Sequence, residues 1–316
     1  MKKRVLISLF FAMFIMVSMA SVSSAISFGP AVNLGTGVNT GADERSPDIS
    51  SDDLVLYLTS DQTGNLDNYK SLRADTANSF GSPSNLDPPI NSNTEADTGP
   101  SITSNNQAMF FSSDRSGGLG DTDIWVSNSG VVGNAGAVVN SAFNDVAPDI
   151  DSTGLFMFFH SDRTGDKDLY VAKRDVIGPW DTLGSLAAVN TGFAEVAPTI
   201  SSDGLSLYFA SNRAGGFGGF DLYLSTRSDT DSFFGAGVNL GAGINSIYDD
   251  MGPSISSDGS TLYFDSNRSG GFGGFDIYQS TATAVPEPAT IALLGIGLFG
   301  LAGATVRRRL KKTEQQ

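Results

Sequence analysis

A five-fold recurrence between Ser27 and Ser280 constrains the fold of this 316-residue chain more than any other feature. The units align on Pro47, Pro100, Pro148, Pro198 and Pro253, each followed two residues later by isoleucine (Ile49, Ile102, Ile150, Ile200, Ile255). Counting from the proline, an aromatic stands at +10 (Tyr57, Phe110, Phe158, Tyr208, Tyr263) and a Ser-Asp/Asn pair at +13 and +14. Position +15 is arginine in four units (Arg115, Arg163, Arg213, Arg268) and Gln62 in the first. The prolines are 53, 48, 50 and 55 residues apart, the period of a unit of several strands.

Within the last unit, Asp258-Gly259 reads as a two-residue type I′ hairpin turn. Asp52-Asp53, Asn105-Asn106, Thr153-Gly154 and Asp203-Gly204 take its place elsewhere. With these turns, positions summing to eleven face each other. Isoleucine at +2 then opposes Leu56, Met109, Met157, Leu207 or Leu262 at +9, and proline opposes Leu58, Phe111, Phe159, Phe209 or Phe264 at +11. These residues form one apolar face, and the +10 aromatics form the other. A third strand follows at Asp67-Asn68-Tyr69, Asp123-Ile124-Trp125, Asp168-Leu169-Tyr170, Asp221-Leu222-Tyr223 and Asp276-Ile277-Tyr278. A weaker fourth strand ends in Val-Asn-Leu-like text, as in Phe80 to Leu86 and Phe234 to Leu240. Four strands buried on both faces describe a β-propeller blade. The fourth-strand text also precedes the first unit, at Phe28 to Leu34. The prediction is an all-β, five-bladed β-propeller over residues 26–284, closed by pairing Phe28–Leu34 with Asp276–Ser280, so that strand edges are protected.

The flanks differ in kind. Residues 1–25 read as a signal peptide: Lys2, Lys3 and Arg4, an apolar stretch from Val5 to Ala20, and the small residues Ser23-Ser24-Ala25. There is no cysteine, so neither a disulfide nor a lipoprotein anchor is available. At the other end, Pro286-Glu287-Pro288 precedes eighteen mostly apolar, uncharged residues at 289–306, then Arg307, Arg308 and Arg309. As a transmembrane helix that stretch reaches about 27 Å, enough for a bilayer core. The basic cluster predicts a cytoplasmic tail.

Residues 285–312 resemble the PEP-CTERM sorting signal of Gram-negative bacteria, through the Pro-Glu-Pro, the short hydrophobic helix and the arginine cluster. The resemblance implies an inner-membrane-anchored precursor whose tail is removed by an exosortase. The mature protein is then expected at the cell surface or in the extracellular matrix. The repeats resemble TolB-type, WD-like propeller repeats through the Pro-x-Ile-Ser, Asp-Gly, Leu-Tyr-Phe, Ser-Asn/Asp-Arg, Gly-Gly and Asp-Ile/Leu-Tyr series. That resemblance implies the propeller and an envelope or extracellular setting, and no single activity.

The expected exported body holds 11 Lys+Arg against 32 Asp+Glu, a formal charge of −21 that repels nucleic acid and favours cations or basic partners. Each unit has an acid three residues before its proline: Glu44, Asp97, Asp145, Glu195 and Asp250. The turn register puts this −3 position opposite +14, beside the +15 arginine and at one mouth of the channel. Two readings fit. The acids pair with the arginines and lock strands together, or, with Asp61, Asp114 and Asp162 at +14, they hold a cation such as Ca²⁺ on hard oxygens.

The string Gly-Gly-Phe-Gly-Gly-Phe-Asp at 215–221 and 270–276 fails the Ca²⁺-roll register, its aspartate being seventh rather than sixth. Asp123, Asp168, Asp221 and Asp276 instead read as turn caps. His160, the one histidine, has no cysteine or second histidine with which to build a zinc site. Neither a nucleophile elbow nor a phosphate loop occurs. The expectation is a non-enzymatic binding or structural module for exopolysaccharide or an envelope protein, with no cofactor. The alternative is a glycoside hydrolase acting through channel carboxylates, although carboxylates that repeat with the blades should share one environment.

Overall fold

The hairpin loops set the register from which everything else follows. Residue +6 takes positive φ in every unit (Asp53 59°, Asn106 57°, Gly154 73°, Gly204 71°, Gly259 71°), but +5 does not. The connection is therefore not the expected two-residue type I′ turn. A hydrogen bond such as Asp53 N–H to Ser50 C=O (2.8 Å) closes a turn one step earlier, and the +5 side chain caps it, as Asp258 does for Ser260 N–H at 2.8 Å. Both loop geometries keep the same pairing, and Ile49 opposes Leu56 as the sequence predicts.

The structure, a computed structural model, describes residues 27–283. The signal peptide at 1–25 and the 285–312 segment, with its helix at 289–306, lie outside the described residues. Among the described residues every regular element is a strand, arranged in five antiparallel sheets. Blade 1 comprises Glu44–Ile49, Val55–Ser60, Asp67–Leu72 and Ser84–Asn85. Blade 2 comprises Asp97–Ile102, Ala108–Ser113, Asp123–Asn128 and Val131–Asn134. Blade 3 is Asp145–Ile150, Phe156–Ser161, Asp168–Lys173 and Thr182–Ser185, and blade 4 is Glu195–Ile200, Ser206–Ser211, Asp221–Thr226 and Val238–Asn239. In blade 5, Asp250–Ile255, Thr261–Ser266 and Asp276–Thr283 are joined by Ser27–Phe28 and Val32–Asn33. The expected closure forms in two short steps, Phe28 opposite Ala282 and Asn33 opposite Tyr278, so the ring is a five-bladed β-propeller.

Because each blade is apolar on both faces, its core lies between blades. One cluster joins Tyr208 and Leu222 of blade 4 to Ile255, Leu262 and Phe264 of blade 5. Another joins Tyr263 and Ile277 of blade 5 to Ile49, Leu56 and Leu58 of blade 1. At four interfaces an aromatic near the outer strand caps the preceding blade's +10 aromatic edge-on. These pairs are Phe28–Tyr208, Phe80–Tyr263, Trp180–Phe110 and Phe234–Phe158, with centroids 6.0 to 6.2 Å apart.

Backbone and side-chain hydrogen bonds then hoop the ring. Each −3 residue donates its N–H to the preceding blade's carbonyl just before the third strand, including Glu44 to Phe275 across the closure at 2.9 Å. Serines at +4 donate to the next blade's +4 carbonyl: Ser51 to Ser104, Ser104 to Ser152, Ser152 to Ser202 and Ser202 to Ser257. The whole ring thus lies within 27–283, self-contained in core and hydrogen bonding.

Phe28→Ala should cost about 3–5 kcal/mol in chemical denaturation, as removal of a buried aromatic does. Deleting Ser27–Leu34 should leave the outer edge of the Asp276–Thr283 strand unpaired and drive self-association visible by size-exclusion chromatography with light scattering. A monomer melting unchanged after that deletion would contradict the closure.

Candidate functional site

The acid before each proline does not face +14, as the turn register predicts. It faces the +13 serine: Glu44 opposes Ser60, Asp145 opposes Ser161 and Asp250 opposes Ser266. A β-bulge causes the shift. In all five units the −1 residue (Ser46, Gly99, Ala147, Ala197, Gly252) takes φ between 47° and 57°, inserting one extra residue before the proline. Only small residues fit there, since a Cβ on Gly99 would come within 3.2 Å of Ala147 Cα. One residue of slip turns the upstream side chains to the opposite side. The acids therefore point into the blade, wholly buried, and the channel mouth is lined instead by the −2 residues Arg45, Thr98, Val146, Val196 and Met251.

Inside the blade each acid meets a fixed set of donors. Asp97, Asp145, Glu195 and Asp250 are paired with Arg115, Arg163, Arg213 and Arg268, the last-but-one pair at 3.0 Å. Each guanidinium also donates to the +13 serine oxygen and to a loop carbonyl, and lies over the third-strand aromatic (4.7 Å for Arg163 on Tyr170). The pairing expected of the acids is thus formed in four blades. In the first, Gln62 reaches Glu44 at 3.4 Å and Thr40 and Ser60 supply shorter bonds. Burial pushes the Glu44 carboxyl above its ordinary value, and the hydrogen bonds from Thr40 and Ser60 offset part of this.

The +14 side chains serve elsewhere. Asp61, Asp114 and Asp162 accept the N–H of the −4 residues Asp43, Ala96 and Asn144 at 2.8 to 2.9 Å, while Asn212 and Asn267 do the same in their units. The eight carboxylates named for a cation site separate into these two sets. Among the described residues no group of three or more His, Cys, Asp or Glu side chains has a metal-holding arrangement. Asp221 and Asp276 cap the Gly-rich loops as expected, accepting Phe217 and Phe272 N–H at 2.8 Å. In the shorter linker, Asp168 instead accepts the Thr164 hydroxyl at 2.7 Å.

Two repeated features escape the proline alignment. A Val/Ile-Asn-Thr/Ser string precedes every first strand, at Asn39, Asn91, Asn140, Asn190 and Asn245. Its amide stands in for a strand: Asn140 accepts Ile124 N–H and donates to Ile124 C=O, both at 2.8 Å. The following residue's N–H binds the −3 acid, Ser141 to Asp145 at 2.6 Å. The string was visible in the sequence, displaced by one residue in the second unit.

Position +12 explains His160. In four blades its side chain accepts the N–H of the next blade's bulge residue: Thr59 from Gly99, Ser112 from Ala147, His160 Nδ1 from Ala197 and Asp265 from Ser46. His160 must therefore be neutral with its proton on Nε2. Burial, and secondarily Lys167, lower its pKa to about 3, with Asp162 opposing.

Along the axis the five prolines and −1 residues narrow the channel to a cavity of about 30 Å³. A cavity of about 190 Å³ lies at the loop-side mouth and one of about 80 Å³ at the turn-side mouth. The +1 residues Asp48 and Asp149 line both the neck and the turn side, a placement the sequence reading missed. Two larger cavities lie off the axis. Blade 2 runs from its third strand through Ser129-Gly130, both at positive φ, straight into its outer strand, and so lacks the capping aromatic of the other blades. Tyr57 of blade 1 is left half-buried beside a cavity of about 280 Å³. On the other side of blade 2 a groove of about 540 Å³ opens between Asn105, Gln107 and Asn128 of blade 2 and Arg174, Ile177 and Trp180 of blade 3.

Residues 284–309 match the PEP-CTERM protein-sorting motif. The chain is accordingly an exported protein sorted through exosortase. No curated protein matches it in sequence. Among solved structures it is similar to TolB from Acinetobacter baumannii, at 16% identity and a TM-score of 0.48, covering 81% of this chain and 55% of that one. It is also similar to the catalytic domain of the Coprinopsis cinerea GH62 α-L-arabinofuranosidase, at 9% identity and a TM-score of 0.53, covering 82% and 98% of the two chains. A thermostable family-43 glycoside hydrolase matches at 13% identity and a TM-score of 0.53, covering 80% and 93%. At such identities the likeness is one of fold.

Arg163→Ala should destabilise by about 3–5 kcal/mol, because it leaves Asp145 buried without its cation. Gln62→Ala should cost only about 1 kcal/mol, the scale of one neutral hydrogen bond. Equal costs in denaturant titrations would contradict the charge-based account. For His160, the folded chain refuses until about pH 3 a proton that the unfolded chain binds below 6.5. Stability should therefore fall as pH drops from 6.5 toward 3, and less steeply in His160→Gln. The single imidazole should show no NMR titration above pH 5; a midpoint near 6.5 rules the assignment out.

Proposed function

We propose that the propeller is a non-enzymatic binding module, displayed at the cell surface or in the extracellular matrix, whose ligand is an extracellular polysaccharide. In this reading residues 1–25 direct export, the 289–306 segment holds the precursor in the inner membrane, and exosortase releases the body by acting at Pro286-Glu287-Pro288 and its flanking Arg307, Arg308 and Arg309.

The observation that carries the reading is where open volume lies relative to the carboxylates. Substrate sites of small-molecule enzymes run to about 300–1,000 Å³. The axis offers cavities of about 190, 30 and 80 Å³, and the five repeated acids are turned away from it into arginine, serine and amide contacts. A glycosidase requires two carboxyls in unlike environments flanking one sugar. The groove of about 540 Å³ beside blade 2 presents the amides of Asn105, Gln107 and Asn128, with Arg174, over the apolar edge of Phe110, Ile177 and Trp180. Amides donate and accept at once, as vicinal hydroxyls do. The groove lies at the joint of blades 2 and 3, capped by Trp180 on Phe110, and is bordered by the short outer hairpin of blade 2 at Asn128, which the other blades lack.

The test is a glycan array and polysaccharide pull-down with residues 26–284. Gln107→Ala with Asn128→Ala should weaken retention about tenfold, as the loss of two hydrogen bonds would. Melting should barely change, both side chains being exposed. An envelope protein as ligand appears as captured protein with no glycan signal. Release of sugar from plant or microbial polysaccharides, abolished by neutralising one acid but not its symmetry mates, supports the hydrolase and defeats the binding-module reading.

A further inference from the structure

Position +1 contributes a second hoop of blade-to-blade bonds, close to the axis. Ser254 Oγ accepts Ile49 N–H at 3.0 Å and Ser101 Oγ accepts Ile150 N–H at 3.1 Å. Asp48 and Asp149 do the same for Ile102 and Ile200, through Oδ2 at 2.8 and 2.7 Å. A neutral serine therefore suffices for the structural bond, and two units use a carboxylate where other units do without one. Both aspartates are nine-tenths buried (9% exposed) and both line the turn-side cavity of about 80 Å³. Asp48 has no donor beyond Ile102 N–H among the described residues, and Asp149 adds only the Thr199 and Ser101 hydroxyls to Ile200 N–H. Thr199, 4% exposed, breaks the hoop: it leaves Ile255 N–H alone and sits beside Asp149 on the cavity wall.

No cation faces this charge. The −3 acids have their arginines, but the charged groups acting on the axial pair are acidic, Asp149 on Asp48 and Asp151 on Asp149. Only hydrogen bonds from Ile102 N–H to Asp48 and from Ile200 N–H, Thr199 and Ser101 to Asp149 offset them. Burial is the main cause raising both carboxyls, Asp149 to about 7, with mutual repulsion adding to it at Asp48. Two such carboxylates facing one small cavity call for a shared counter-charge. A cavity of about 80 Å³ holds an ion with one or two waters, each of which occupies about 30 Å³ in the liquid.

We propose that Asp48 and Asp149 bind one Ca²⁺ on the propeller axis, at the neck of the turn-side mouth, with hydroxyl oxygen from Thr199 and Ser254 and water from the mouth. All of these donors are hard oxygens, the ligand type Ca²⁺ takes. This site is independent of the blade 2 groove and of the reading built on it, and it uses none of the acids at −3 or +14.

The test uses residues 26–284, stripped with EDTA and titrated with CaCl₂ at pH 7.5 by calorimetry and thermal melting. One binding event is expected, with a rise in Tm of about 5–10 °C at a hundredfold excess over Kd. Asp48→Ser with Asp149→Ser keeps the inter-blade bonds in the form other blades already use, so it should fold. It should lose the calorimetric event and the shift in Tm. Asp61→Asn with Asp114→Asn should keep both. Absence of a Ca²⁺ response in the wild-type body overturns the site, and so does a response that survives the double serine variant.

Discussion

A blade with two apolar faces cannot be an end. Each hairpin carries isoleucine, leucine and phenylalanine on one side and the +10 aromatic on the other, so each needs a neighbour on both sides. The only arrangement of five such units that leaves no apolar face in water is a ring. Closure is therefore the condition under which the other interactions exist. It is met by Ser27–Phe28 and Val32–Asn33 pairing with Asp276–Thr283. The hoops of hydrogen bonds follow from it: the −3 amide onto the third strand, the +4 serines, the +1 and +12 acceptors. None of them spans a blade; all span the joint between blades.

Much of this was legible because the repeat states it five times. The period, the two-faced hairpin, the closing strand and the arginine–acid pair all follow from residue types at fixed offsets. The direction in which the acids point was not legible. It depends on one inserted residue, and the −1 position that inserts it holds Ser, Gly or Ala, a set that marks crowding without announcing positive φ. The +12 hoop was hidden for a different reason. The neighbour's bulge needs only an acceptor, which threonine, serine, histidine and aspartate all supply, so selection acts on chemistry and leaves no common letter. His160 stood out as a unique residue while filling a shared role.

What the repeat states five times concerns the making of blades; what it fails to state concerns this chain. The capping aromatic is present at four joints and missing from blade 2, where a two-residue turn leaves no room for it. An absent loop has no motif, so the cavity it leaves beside Tyr57 came from geometry alone. The same logic separates the acids. Those at −3 recur in all units and are neutralised in place, whereas those at +1 occur in two units only.

That contrast bears on energetics. A buried carboxylate met by a guanidinium and a backbone N–H, with a hydroxyl added at Asp145, Glu195 and Asp250, recovers most of the several kcal/mol lost on leaving water. Asp97, Asp145, Glu195 and Asp250 are in that position, and their arginines are fixed in turn by stacking on tyrosine or tryptophan. Glu44 receives no guanidinium and is given hydroxyls and an amide instead, a weaker but complete substitute. Asp48 and Asp149 receive one backbone N–H each and no guanidinium; Asp149 adds two hydroxyl contacts, and Asp48 meets the like charge of Asp149. One chemistry on one scaffold thus has its burial compensated fully at −3 in four blades, adequately at Glu44 and less at +1. At the last of these the proposed cation would lower the free energy of the fold.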